Sequence, residues 1–227
     1  MTSQPTAKVA QAKTCRVLIV DDHPILRRGL GQLIDREPDL ELCGEADSPS
    51  AALDAVERLH PDVVVADLAF EGLDGFDLIK DLKIRHPHLP VLVLSVHDES
   101  YYAQRVLKAG AMGYLMKQEA PTKVIEGIRA VHRGRVYLSD HMSQILLSQM
   151  TSGSSSPQTF GIESLTDREL EVLRLIGQGK STREIAQQLH LSVKTIETHR
   201  ENIKQKLHLD NAAQLVQYAV RFAIESA

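Results

Sequence analysis

The sequence predicts an α/β domain with a doubly wound, five-stranded parallel sheet, followed by a small all-α domain. Two observations support this fold class. Five short apolar runs recur between residues 14 and 133, and segments with helical apolar spacing separate them. Continuous apolar runs are typical of strands covered on both faces, and parallel neighbouring strands require crossover helices. From residue 165 onwards the apolar residues follow helical spacing alone.

The predicted elements alternate along the first domain. Its strands are 16–20, 40–46, 62–66, 91–95 and 112–116. Its helices are 24–36, 49–59, 74–85, 99–109 and 121–132. In a doubly wound sheet, the functional crevice lies at the carboxyl ends of the strands. The polar residues that follow the strands should therefore meet at one edge, and they are Asp21, Asp22, Asp67, Ser95 and Lys117.

These five side chains predict a particular chemistry when they are taken together. Each alone could serve as a helix cap or a solvated surface charge. Three clustered carboxylates repel one another, however, and a hard cation such as Mg²⁺ would relieve that repulsion. A metal held in this way can neutralise an incoming phosphoryl group. Asp67 would then be the nucleophile, with Lys117 and the Ser95 hydroxyl contacting the phosphoryl oxygens.

Composition limits the class of protein. The 227 residues carry a formal net charge of -4; residues 14–133 are acidic, whereas residues 192–208 are locally basic. No apolar run approaches the ~18 residues of a membrane helix, and the N-terminus has no secretory signal, which favours a cytoplasmic protein without membrane contact. Cys15 and Cys43 lack the spacing of a metal or disulfide framework, and both are expected to be small core residues.

The second domain has the pattern of a helix-turn-helix. Thr166 with Glu169, and Ser181 with Glu184, form two capping boxes that begin helices, and Ser192 caps a third helix. A solvated face of an ordinary helical bundle is the competing interpretation. The short turn before the third helix favours DNA binding, because this geometry presents that helix to a major groove. The candidate contacts to bases or phosphates are Lys194, Thr195, Glu197, Thr198, Arg200, Glu201 and Lys204.

Four segments of the first domain resemble the receiver domain of two-component response regulators. They are VDDHP (20–24), DLAFEGLDG (67–75), VLSVHD (93–98) and KAGAMGYLMK (108–117). The resemblance implies a flavodoxin-like sheet with strand order 2-1-3-4-5. It also implies that Asp67 is the phosphoacceptor, that Asp22 binds Mg²⁺ directly, and that Asp21 binds it through water. Asp67 itself and the Ala69 backbone carbonyl would be further Mg²⁺ ligands.

Two more receiver features follow from the same resemblance. Ser95 and Tyr114 match the switch pair, in which the hydroxyl moves towards the phosphate and the aromatic ring moves inward. The chain departs from the usual pattern at Ala69 and Glu71, two and four residues after the phosphoacceptor. These departures remove no group that the reaction needs, and they bear on the loop conformation and the lifetime of the phosphate.

The second domain resembles the LuxR-type helix-turn-helix, and the two domains in this order resemble the NarL/FixJ group. The implied division is a receiver domain at 14–133, a linker at 134–160 and a DNA-binding domain at 161–227. The resemblance implies a transcription factor rather than an enzyme, with a sensor histidine kinase and double-stranded DNA as partners. RNA polymerase is a further candidate partner. A fourth helix, 211–223, has apolar residues for the domain core and for a second copy, so we expect a homodimer in the active form.

The residues alone leave other functions open. A flavodoxin-like sheet could hold FMN, although the phosphate-cradling loop of Gly, Ser or Thr is missing after the first strand. A hydrolase or phosphatase with an Asp nucleophile would use the same acids, but it would not need a helix-turn-helix. A regulator that does not depend on phosphate would keep the acids unused. In the resting form, the receiver would either cover the reading helix or leave the protein monomeric.

Overall fold

Five parallel strands form the sheet of the first domain in the computed structural model, which describes residues 14–70, 73–119, 121–152 and 161–225. The strands are β1 (Cys15–Val20), β2 (Leu40–Ala46), β3 (Val63–Ala66), β6 (Val91–Ser95) and β7 (Gly113–Met116). Their order across the sheet is β2-β1-β3-β6-β7. Counted along the chain, these strands have the predicted order 2-1-3-4-5, and the doubly wound α/β fold is confirmed.

Five helices connect and follow these strands. They are α1 (Pro24–Ile34), α2 (Pro49–Leu59), α3 (Gly75–Arg85), α4 (Glu99–Ala109) and α5 (Pro121–His132). Proline begins α1 and α2, where its missing N–H leaves no helical hydrogen bond unmade. The Asp98 side chain caps α4 by accepting a hydrogen bond from the Ser100 N–H at 2.8 Å. Gly110 ends α4 in the left-handed conformation with φ 115°.

Apolar residues of the strands alternate between two cores, one on each face of the sheet. Leu18 and Val64 pack in one core, and Ile19 and Val65 pack in the other. All four are at most 2 % exposed. This arrangement explains the continuous apolar runs of β1, β3 and β6, because both faces of these strands are covered, whereas the edge strand β2 is only partly buried.

A short hairpin that the sequence did not predict follows Asp67. It consists of β4 (Ala69–Phe70) and β5 (Leu73–Asp74), which pair in the antiparallel direction. Gly75 then starts α3 against the backbone of Leu68, where a Cβ atom would lie 2.5 Å from the Leu68 Cα. Glu71, one of the departures from the receiver pattern, lies outside the described residues.

The segment predicted as a linker, 134–160, contains a helix, α6 (Asp140–Ser152). Before this helix, Tyr137 forms a parallel bridge with Gly113 at the edge of the sheet. Met142 of α6 is 2 % exposed and packs in the receiver core. The part of the segment up to Met142 therefore extends the first domain, since apolar side chains there contact the sheet and its helices. Residues 153–160 lie outside the described residues, and the domain boundaries stay a prediction.

The second domain contains four α-helices after a 3₁₀ turn at Ile162–Ser164. They are α7 (Asp167–Gly177), α8 (Thr182–Gln188), α9 (Val193–Lys206) and α10 (Ala212–Glu225). Both predicted capping boxes are present, at Thr166 with Glu169 and at Ser181 with Glu184. Ser192 caps α9. None of the helices in the described ranges is long and apolar enough to cross a membrane.

The two domains contact each other through α4 and the start and end of the second domain. Arg105 of α4 donates hydrogen bonds to the backbone oxygens of Leu165 and Ile162, at 2.8 and 2.5 Å. Tyr101 of α4 packs edge-on against Phe222 of α10, with ring centroids 5.0 Å apart. The contact therefore includes cation-to-carbonyl hydrogen bonds beside an aromatic pair.

Candidate functional site

The three predicted acids converge at the carboxyl edge of the sheet because their strands are neighbours. Val20 at the end of β1 pairs with Ala66 at the end of β3, and each is followed by an aspartate. The Asp67 N–H donates to the Val20 carbonyl at 2.8 Å, which joins the two loops. Ligand atoms of Asp21, Asp22 and Asp67 lie within 4.8 Å of one another. Asp21 and Asp67 are buried, at 1 % and 2 % exposed.

Lys117 lies between two of these acids. Its ammonium is 2.6 Å from Asp21 Oδ2 and 2.7 Å from Asp67 Oδ2. The backbone N–H of Lys117 donates to the Ser95 carbonyl at 2.7 Å. This hydrogen bond holds Lys117, which follows β7, next to the end of β6. Burial disfavours the charged ammonium and acts to lower the pKa of Lys117. The neighbouring Asp67 and Asp21 carboxylates outweigh this effect and hold the pKa above its ordinary value.

Burial also governs the phosphoacceptor candidate. It raises the pKa of the Asp67 carboxyl, against the opposing effect of Lys117. The Leu68 N–H donates to Asp67 Oδ1 at 2.7 Å, while Lys117 contacts Oδ2. Both carboxylate oxygens thus accept hydrogen bonds, one from a backbone N–H and one from the Lys117 side chain. Such preorganisation suits a nucleophile that must attack along one direction.

Ser95 and Tyr114 come together at the edge of this site. Ser95 is fully buried, and its Oγ accepts a hydrogen bond from the His97 N–H at 3.3 Å. The Tyr114 ring is also fully buried, and its hydroxyl donates to the His97 carbonyl at 2.8 Å. Burial raises the pKa of the Tyr114 hydroxyl. The ring therefore occupies the inward position, which the receiver resemblance assigns to the active form.

His23 joins the acidic cluster, although sequence reasoning did not assign it a role. Its Nδ1 lies 3.0 Å from Asp21 Oδ1 and 2.7 Å from Asp22 Oδ1. The signal available in the sequence was its position directly after the two aspartates. Carboxylate and carbonyl oxygens are the donors that Mg²⁺ prefers, so the three aspartates and the Ala69 carbonyl fit this ion better than the imidazole does.

The candidate DNA-reading residues lie on the outer side of α9. Lys194, Glu197, Thr198 and Glu201 are exposed, whereas Ile196 and Ile203 on the opposite side are fully buried. Several candidates also contact other groups of the helix, and the Thr198 hydroxyl donates to the Lys194 carbonyl at 3.0 Å. The Thr195 hydroxyl lies 2.7 Å from the Ser192 hydroxyl at the helix cap, and Lys204 pairs with Glu201 at 2.8 Å. Arg200 is half-buried, and burial lowers its pKa.

A cleft of about 370 Å³ beside the acids is lined by both domains. Asp22, Ala69 and His97 line it from the first domain, and Arg174 and Leu189 line it from the second. Burial lowers the pKa of His97 to about 4, and the charges of Arg174 and Lys117 act in the same direction. In this arrangement the second domain lies next to the acidic site, yet the exposed side chains of α9 remain open to solvent.

The fold and the site together define a class of protein. A buried aspartate held by a lysine at the edge of a doubly wound sheet is joined, in one chain, to a helix-turn-helix domain. This combination is that of a signalling domain that controls a DNA-binding domain. Residues 17–129 match the family described as response regulator receiver domain, and residues 163–219 match the family of bacterial regulatory proteins, luxR family.

Curated relatives match nearly the whole chain. The transcriptional regulatory protein LiaR of Bacillus subtilis is 36% identical over 208 residues, which cover 91% of this chain and 97% of LiaR. The nitrate/nitrite response regulator protein NarP of Escherichia coli is 35% identical, with 88% and 91% of the two chains covered. The chain therefore belongs to the two-component response regulators with a LuxR-type DNA-binding domain, and it is a transcriptional regulator.

A solved structure supports the same assignment. RcsB from Salmonella enterica serovar Typhimurium, bound to the promoter rprA in the presence of phosphomimetic BeF3⁻, matches with a TM-score of 0.65 and 28% identity. The match covers 92% of this chain and 99% of that chain. The family and the two-domain architecture expected from the sequence are thus confirmed.

Proposed function

We propose that a sensor histidine kinase phosphorylates Asp67 in the cytoplasm and that this modification controls DNA binding by the second domain. The observation that carries the proposal is the Lys117 ammonium, 2.7 Å from the Asp67 carboxylate, within a cluster of three aspartates. Burial of Asp67 accounts for one cation in this position, and the same cation can offset the charge of the oxygens on a transferred phosphoryl group.

Each residue of the site has a separate role in the proposed reaction. Asp67 attacks phosphorus, and the bond between phosphorus and the kinase histidine nitrogen breaks. Lys117 contacts the transferred phosphoryl oxygens and offsets their charge. Asp22, Asp67 and the Ala69 carbonyl would hold Mg²⁺ directly, and Asp21 would hold it through water. When bound, this ion would neutralise the negative charge that collects around the three acids.

The proposed output is a change in dimerisation. Ser95 and Tyr114 respond to the phosphoryl group and alter the receiver surface around them. On α10, Leu215 and Ala219 are fully buried in the domain core, whereas Val216 and Val220 are 41% and 39% exposed. These exposed valines would pair with a second copy. Because the outer face of α9 is open in this arrangement, we favour control by dimerisation over masking of the reading helix.

The phosphoacceptor is tested by phosphoryl uptake from a radiolabelled histidine kinase. Asp67→Asn should lose the label, because an amide nitrogen cannot replace the attacking carboxylate oxygen. Asp54→Asn is the matched control, since Asp54 is an exposed acid of α2 away from the site. Removing Mg²⁺ with EDTA should abolish uptake in the parent protein. Equal labelling of Asp67→Asn and the parent would remove Asp67 from its assigned role.

DNA contacts are tested separately, with fragments selected by the phosphorylated protein from a random pool. Thr198→Ala and Lys194→Ala should weaken binding, because both side chains lie on the exposed face of α9. Asp54→Ala on the exposed face of α2 serves as the control, because α2 belongs to the first domain. Because Lys194 is assigned a phosphate or base contact, a phosphate contact predicts that the salt slope of log K falls by about one in Lys194→Ala. Unchanged affinity in both α9 variants would place the DNA interface elsewhere.

A further inference from the structure

A cleft of about 440 Å³ lies between α3 and α4 of the receiver domain and the beginning of the DNA-binding domain. The cleft is strongly positive. Four cationic side chains line it, Lys80, Lys83, Arg105 and Lys108, against a single carboxylate, Asp167. The whole chain has a net charge of -4, so this cleft concentrates positive charge in an acidic protein. A cleft whose walls carry charges of one sign focuses the electrostatic field and attracts ions of the opposite charge.

Two of these cations already hold an oxygen anion. The Asp167 carboxylate lies 3.3 Å from the Arg105 guanidinium and 3.2 Å from the Lys80 ammonium. Arg105 also donates to two backbone carbonyls of the DNA-binding domain. Arg105 and Lys80 therefore belong to the contact between the domains. Their pairing with Asp167 demonstrates that an oxygen anion can be accommodated in this cleft.

The other two cations keep their charge uncompensated. Lys83 donates to the neutral Pro87 carbonyl at 3.0 Å, and neither Lys83 nor Lys108 forms an ion pair with a carboxylate among the described residues. Both lie in the last turn of their helices. The Lys83 stem packs over Gly110, where an added Cβ would lie 2.7 Å from its Cγ. This packing holds the Lys83 side chain beside the end of α4, where Lys108 lies.

The rest of the wall is partly apolar, and the uncharged polar residues Ser100 and Gln104 complete it. Ile84 is 78% exposed at the rim, and Tyr101, Ala109 and Ile162 also line the cleft. Its volume is within the range of ~300–1,000 Å³ that is typical of sites for small molecules. We propose that the cleft binds a phosphorylated small molecule of nucleotide size. Its phosphate groups lie on Lys83 and Lys108, and its apolar part lies against Ile84.

The position of Asp167 links this site to the domain contact. A phosphate group in the cleft is repelled by the Asp167 carboxylate and competes with it for Lys80. Ligand binding therefore weakens the ion pairs that hold α7 of the DNA-binding domain against α3 and α4. It follows that removal of the Asp167 charge strengthens ligand binding, a gain that a purely structural role of the lysines does not produce.

The test is calorimetric titration of the full-length protein with ADP and with inorganic pyrophosphate, both without Mg²⁺. We expect saturable binding of ADP that is tighter than that of pyrophosphate. The double variant Lys83→Ala, Lys108→Ala should bind ADP about tenfold more weakly or worse, because two charged contacts are lost. Asp167→Asn should bind ADP several times more tightly. Lys123→Ala is the control, since Lys123 is an exposed lysine of α5 that does not line the cleft.

Several results would overturn the proposal. One is the absence of saturable binding of either probe at millimolar concentration. Another is an equal loss of affinity in the double variant and in Lys123→Ala. Pyrophosphate binding as tight as that of ADP would remove the apolar part of the assignment. Circular dichroism of each variant verifies that it is folded, and a folded double variant with parental affinity would exclude the site.

Discussion

Replacement of Lys117 by methionine tests the electrostatics of the phosphoacceptor site. The Lys117 side chain is 10% exposed, and the side chains of its two partners, Asp21 and Asp67, are 2% and 0% exposed. Removing one partner of a buried ionic cluster costs ~3–5 kcal/mol, because the remaining charges lose their compensation. For Lys117→Met at pH 8 without metal, a loss of about 3 kcal/mol corresponds to a decrease in Tm of roughly 10 °C.

The loss should depend on pH in a defined direction. Burial already raises the pKa of Asp67, and Lys117 opposes this effect, so the variant has a still higher pKa at this carboxyl. A carboxyl with a raised folded-state pKa holds its proton more tightly in the folded protein. Its favourable contribution is therefore present at low pH and is lost as pH rises through the folded-state value. The variant should be less destabilised at pH 5 than at pH 8.

The assay is thermal unfolding at both pH values, with and without millimolar Mg²⁺. The metal should restore part of the Tm of Lys117→Met, because it binds the folded acids and neutralises them. Lys123→Met, which breaks an exposed pair with Glu119, should keep a Tm close to that of the parent. A parental Tm for Lys117→Met at pH 8 in EDTA would refute the reasoning. A loss that responds to neither pH nor Mg²⁺ would also refute it.

Three further changes test the packing around the two domains. Glu169→Ala removes a buried acid that belongs to a capping box and lies 2.6 Å from the Lys206 ammonium. Chemical unfolding should show that the free energy of unfolding falls by roughly 2–3 kcal/mol. The loss should be larger than that for Glu184→Ala, which removes the exposed acid of the other capping box. Tyr114→Phe removes a hydrogen bond of 2.8 Å to a backbone carbonyl, which should cost about 1 kcal/mol in the same measurement. Gly75→Ala places a Cβ 2.5 Å from backbone atoms and should lower stability by roughly 2–3 kcal/mol.

For each of these three substitutions, one result would contradict the expected change in stability. Equal losses for the two capping-box acids would mean that burial of Glu169 does not matter. A loss of more than about 3 kcal/mol for Tyr114→Phe would imply that the ring itself had moved, since that is the range for creating a cavity. A Gly75→Ala protein with parental stability would mean that the loop before α3 can shift freely.

Much of the fold could be predicted from local patterns. The strand at 40–46 and the helices at 49–59 and 99–109 have the predicted bounds. Apolar periodicity and capping residues depend on near neighbours in the chain, so a single sequence displays them. The hairpin after Asp67 was missed because two-residue strands have no periodicity to read. Helix α6 was missed because the segment was taken for a linker.

The sequence by itself determined the two-domain fold class and the polar residues that follow the strands. Only the tertiary structure decided which of these residues touch. Lys117 and Asp67 are 50 positions apart, and their contact depends on the order of three strands across the sheet. The same is true of the positive cleft between the domains. Contacts of this kind result from packing between distant elements, and no local pattern in the chain encodes their distances.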